Sequence, residues 1–170
     1  TDISTIAGDT NGTVTVTNDI IITGTSAAIA TAVGNVDTFS GAAKASLGNA
    51  HNLAQLKAIN NAVSGQLTLT YYDVDLTGSS SDVAAALAGD FAATYTGDVS
   101  LNNAHNLTQL KTINAATTGT ITLTDYSVDL SGSTSDVKAA LAGNFASTYT
   151  GNVTITDANG SGIAAADIST

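Results

Sequence analysis

Two histidines, His51 and His105, are the only side chains of the 170-residue chain with ordinary pKa values near neutrality, and both sit in the phrase "NAHNL". A hydrolase triad needs a histidine, a nucleophile and an acid converging once, in one pocket. A histidine that recurs every 54 residues fits a turn or cap instead, and we read both that way. Carboxylates offer a second chemistry: a glycosidase-type acid pair could be drawn from Asp73 and Asp75, or from Asp125 and Asp129. Asp75 and Asp129 recur with the same period, which favours solvated loop residues. No GxxxxGK[ST] phosphate loop is present, and no glycine-rich turn is followed by a basic residue. On these grounds the chain is not expected to be an enzyme.

Calcium is the sharper alternative. The stretches "DANGSG" (157–162) and "GDTNGT" (8–13) make Asp157, Asn159, Asp9 and Asn11 candidate ligands, because they offer oxygen donors around a tight turn. An EF-hand starting at Asp157 would need an acid at its twelfth position. That position is Ile168, with Asp167 one short. The metal-free reading is an Asx-turn in which glycine supplies the turn geometry, and it accounts for the same residues. Calcium therefore stands as the alternative cofactor and no other is implied.

Composition narrows the partners. All 14 acidic residues are Asp, all four basic ones are Lys, and Cys, Pro, Met and Trp are absent. A formal charge of -10 argues against nucleic acid and anionic membrane surfaces, which require clustered Lys and Arg. No apolar run approaches the ~18 residues of a membrane span. With 43% apolar residues, mostly small or β-branched, a core of Ala, Val, Ile and Leu is expected.

The elements that position these residues come in repeats. Residues 47–100 and 101–154 align without a gap and share about two-thirds of their residues. Residues 1–46 contain a diverged copy of the second part of this unit, and 155–170 open a further one. Overlaying the "DIST" of 167–170 on the "DIST" of 2–5 joins tail to head as "TITDANGSGIAAADISTIAGDTNGTVTV", which follows "SLNNAHNLTQLKTINAATTGTITL" element for element. The expectation is a window on a longer tandem array, with 1–170 as one repeat-built domain.

Within a unit, "TITLT" (120–124) and "VTIT" (153–156) alternate as half-buried strands do. Leu107, Leu110 and Ile113 give "NLTQLKTINAAT" an apolar stripe, Asn106 is placed to cap it, and Gly119 to end it in the left-handed conformation. "STSDVKAALAG" predicts a second helix capped by Thr134 or Ser135, with Val137, Ala140 and Leu141 inward and Gly143 closing it. "YSVDLSG" alternates in the opposite parity, which predicts a bulge or corner near Asp125. The expected fold is an α/β repeat, a right-handed β/α solenoid like leucine-rich repeats, with one parallel sheet and a layer of short helices. The alternative is an all-β solenoid.

The phrases "NLTQLKTINAATTGTITLTD" and "DLSGSTSDVKAALAGNFASTYTGNVTITDA" resemble repeat tracts of very large secreted bacterial surface proteins, of type I-secreted adhesin-like and cyanobacterial kinds. The resemblance covers nearly the whole chain. It implies an extracellular or cell-surface location, a structural or adhesive role and no catalytic residues. The expected function is a spacer, fibre or surface-layer element. Its partner is expected to be itself, head to tail through Ile3, Ile6, Ile163 and Ile168; a carbohydrate or cell-surface partner is compatible. A calcium-dependent adhesin module is the alternative, and ice binding through outward Thr rows a further one.

Overall fold

A computed structural model describes residues 2–158 and 161–165. The chain opens with α1 (Asp2–Gly8), β1 (Thr15–Val16), β2 (Ile21–Gly24) and α2 (Ser26–Gly34). Next come β3 (Thr38–Phe39), β4 (Lys44–Leu47), α3 (Leu53–Ala62), β5 (Leu67–Leu69), β6 (Leu76–Gly78) and α4 (Ser80–Leu87). The second full repeat supplies β7 (Val99–Leu101), α5 (Leu107–Ala116), β8 (Ile121–Thr122), β9 (Leu130–Gly132), α6 (Thr134–Leu141) and β10 (Val153–Ile155).

The helices are short because the sequence starts and stops them firmly. Asn52 and Asn106 each accept from the backbone N–H of a glutamine three residues on, and that glutamine reaches back, forming a capping box. Ser79 and Ser133 cap α4 and α6, so the second cap falls one residue ahead of the expected Thr134 and two ahead of Ser135. Leu56, Ile59, Leu110 and Ile113 are fully buried, as the stripe predicts, and Leu53 and Leu107 pack against the same core. Val137 and Ala140 are buried on α6, with Leu141 partly so.

Gly119 corrects an expectation. It does not adopt a positive φ, and neither does Gly143; the helices end instead at Thr117, in extended geometry, and at Ala142. Glycine is needed at 119 because a Cβ there would stand 2.2 Å from the carbonyl oxygen of Gly97, where successive turns of the chain touch backbone to backbone.

All strand pairs are parallel, but they do not form one sheet. β1–β3 and β9–β10 are two-stranded, while β2–β4–β5 and β6–β7–β8 are three-stranded. The chain is a small α/β domain with, among the described residues, four short separate sheets and six helices. This overturns the expected solenoid on a single parallel sheet, and the helices overturn the all-β alternative. The adhesin-like, extracellular fibre reading loses the architectural support it drew from that solenoid.

The physical reason lies in where each helix delivers the chain. α3 and α5 return it beside the strand it left, giving β4–α3–β5 and β7–α5–β8. α2, α4 and α6 instead carry it back to the preceding sheet: β3 joins β1, Phe91 bridges to Leu67, and Phe145 bridges to Ile121. Each of the two middle sheets is thereby begun by one repeat and closed by the next. The corner expected near Asp125 lies where the chain leaves β8 for β9 in the next sheet.

Candidate functional site

The polar residues cluster along the seams between successive turns of the chain. Among the described residues six aspartates each accept a backbone N–H from a residue 22 or 23 positions away: Asp37 from Val14 (2.7 Å), Asp19 from Ala42 (2.7 Å), Asp75 from Asp98 (2.9 Å), Asp98 from Thr120 (2.6 Å), Asp129 from Asn152 (2.8 Å) and Asp157 from Thr134 (2.9 Å). A short carboxylate next to a strand reaches the adjacent backbone, and charge strengthens the bond. Asp75 and Asp129, expected as solvated loop residues, are thus seam clamps. Asp125, their neighbour in the candidate acid pair, closes a local turn by accepting from the N–H and hydroxyl of Ser127.

A second clamp holds helix starts. Asn49 accepts from Ser26 N–H and Asn103 from Ser80 N–H, both at 2.7 Å. The serine hydroxyls donate on to Ala50 and Ala104 carbonyls at 3.0 Å. Asp157 holds the matching place one repeat later. Its carboxylate accepts from Thr134 N–H at 2.9 Å and from the Thr134 hydroxyl, and those bonds hold its pKa below the ordinary carboxylate value. Asp9 and Asn11 lie exposed after α1, and Asn159 falls outside the described residues. Among the described residues no three His, Cys, Asp or Glu side chains are grouped to hold a metal.

The histidines serve neither a turn nor a cap. His51 Nε2 lies 2.8 Å from Tyr95 Oη, and His105 Nε2 lies 2.8 Å from Tyr149 Oη. Each tyrosine hydroxyl donates its single proton to a carbonyl, Val74 or Val128, at 2.6 Å. The hydroxyl can then only accept from histidine, so Nε2 carries the proton and Nδ1 is bare. Both Nδ1 atoms are buried without a partner. Burial lowers both histidine pKa values; Asp125 opposes the effect at His105. Burial pushes the Tyr95 hydroxyl well up, aided by Asp75 and Asp73, and Tyr149 up to about 12. The arrangement holds the two imidazoles in place, and their lowered pKa values favour the neutral form. Tyr95 and Tyr149 were missed from sequence, although they recur in step with the histidines.

Two ion pairs finish the seams: Lys57 with Asp82 and Lys111 with Asp136 join α3 to α4 and α5 to α6. An open groove of about 610 Å³ runs beside α6, lined in part by Thr134, Lys138, Asp157 and Ile163. Of the residues expected at a head-to-tail joint, Ile3 packs partly buried against its own core, Ile6 is 61% exposed and Ile163 37%. Ile168 lies outside the described residues.

No family model, curated protein or solved structure matches the chain.

Proposed function

We propose that the chain is a structural spacer module, in which each 54-residue repeat holds the next at a fixed distance and orientation. One observation carries this reading. The side chains best suited to chemistry are engaged between turns of the chain, and their contacts recur in successive repeats. His51–Tyr95 is matched by His105–Tyr149, Lys57–Asp82 by Lys111–Asp136, and Asn49 by Asn103 and Asp157. A catalytic constellation is assembled once; a structural contact is copied wherever the structure is copied.

In such a module length is the property selected, and the natural partner is another repeat. The acidic surface would limit non-specific association. A calcium-dependent role has no support from Asp157, which is already engaged at the start of α6. Ice binding needs a flat, extended Thr face; here outward hydroxyls such as Thr68 and Thr122 belong to separate short sheets. The test is an in-frame duplication of residues 101–154 after residue 154. A spacer should lengthen in small-angle scattering and melt in a single transition at no lower temperature. An inserted copy that stays unfolded or melts separately would refute the reading.

A further inference from the structure

The two middle sheets each run through four positions. In one, Ile22, Ala45, Leu67 and Phe91 lie side by side; in the other, Leu76, Val99, Ile121 and Phe145 do. The last sheet has only the first two positions, Leu130 beside Val153. The first sheet has only the last two, Val16 beside Phe39. Their bonding matches too: Ser40 N–H donates to Val16 O at 2.9 Å, as Ala146 N–H donates to Ile121 O at 3.0 Å. The two terminal sheets are complementary halves of the sheet that the middle of the molecule completes twice.

We propose that the outer edge of β10 receives β1 of a second copy of this chain, completing a β9–β10–β1–β3 sheet between molecules. The proposal rests on the spacer reading and names its partner. Among the described residues no strand pairs with that edge of β10. Val153 and Ile155 are 44% and 42% exposed, whereas their counterparts Val99 and Leu101 are 0% and 4% exposed beneath β8 and its helix. In the interior, Val99 N–H donates to Thr120 O at 2.9 Å and Ala45 N–H to Gln66 O at 3.3 Å. The equivalent bond at the joint runs from Val153 N–H to the carbonyl of Thr15 in the second copy. α1 precedes β1 as α5 precedes β8. The two surfaces differ, so the contact is heterologous and propagates into a chain of molecules.

Light scattering across a concentration series tests this. Wild-type mass should rise with concentration without a fixed stoichiometry, and more so in added salt, which screens the repulsion between chains of charge -10. Val153→Pro removes the outward N–H while sparing the ladder to β9, which uses Asn152 O and Thr156 N. Val16→Lys blocks β1. Each variant alone should stay at the 16.8 kDa of one chain. Mixed in equal amounts, they should form a two-chain species and nothing larger, because one retains a working β1 and the other a working β10. If Val153→Pro loses its circular dichroism, Ile155→Lys takes its place with the same expectation. A wild-type mass that never rises, a closed dimer, or folded variants that fail to pair on mixing would overturn the proposal. If the duplicated repeat extends the fold while wild type stays at one mass, the spacer reading stands and this joint does not.

Discussion

Val99 and Val153 hold the same place in successive repeats, yet one is sealed and the other nearly half exposed. The same contrast separates Tyr95, fully buried, from Tyr149, half-buried, although their bonds to histidine and to a carbonyl are the same lengths. Local geometry is therefore written into each repeat, whereas burial is conferred by the repeat that follows. That is the energetic signature of repeat proteins, where interfaces between neighbours supply much of the stability.

The largest effect should appear where the two repeats do not differ. Leu56→Asp and Leu110→Asp each put an unpaired charge at a fully buried site and should cost on the order of 4 kcal/mol in denaturant titrations. Similar losses sharpen the comparison; a harmless Leu110→Asp would break it by showing that α5 is not covered.

Tyr95→Phe comes next. It leaves His51 Nε2–H and the Val74 carbonyl unpartnered in a dry site, at about 1–3 kcal/mol per buried unmet group. Tyr149→Phe should cost distinctly less, because water reaches the half-buried site. Equal losses would mean that the following repeat does not decide burial here.

Val99→Ala should then cost about 1.5 kcal/mol, at roughly 0.8 kcal/mol per carbon removed from a sealed site. Val153→Ala, measured in dilute solution, should stay within about 0.5 kcal/mol of wild type. Comparable losses would contradict the exposure of β10.

The smallest effect is in acid. His51 and His105 have folded pKa values below the ordinary 6.5, so their contribution is fully present above 6.5 and is lost as pH falls from there through the lowered values. Asp82, Asp125, Asp136 and Asp157 are also depressed, chiefly by hydrogen bonds from Lys57, Ser127, Lys111 and Thr134 respectively. Their contribution is present above the ordinary carboxylate pKa and goes in a second, lower window as pH falls through their folded values. The two histidines should differ in an NMR titration. His105 should protonate at the higher pH, because Asp125 favours its charged form where the first repeat has Tyr71. The reverse order would break that part of the comparison.

Much of the local structure was legible in the sequence. The 54-residue period, the Asn106 cap and the Leu107, Leu110 and Ile113 stripe are local signals, and the structure contains all of them. Sheet partition was not legible. Strands of two to four residues carry too little pattern to say whether a helix returns the chain to its own sheet or to the one before, and the pairing partners lie 22 to 24 residues apart. The seam clamps were hidden for the same reason, since Asp98 reads as a loop residue until Thr120 is placed beside it. Even so, the absence of Glu was a usable sign: a short carboxylate beside a strand favours backbone partners over solvent. The joint recurrence of His51 with Tyr95 and His105 with Tyr149, 44 residues apart in each case, was another.

Amide hydrogen exchange at Val99 and Val153 tests most directly whether each repeat is finished by its neighbour. Val99 N–H, bonded to Thr120, should be protected at every protein concentration. Val153 N–H should exchange rapidly in dilute solution and gain protection only as concentration rises. Protection of Val153 equal to that of Val99 in a dilute single chain would contradict it, as would rapid exchange of Val153 at concentrations where the chains have associated.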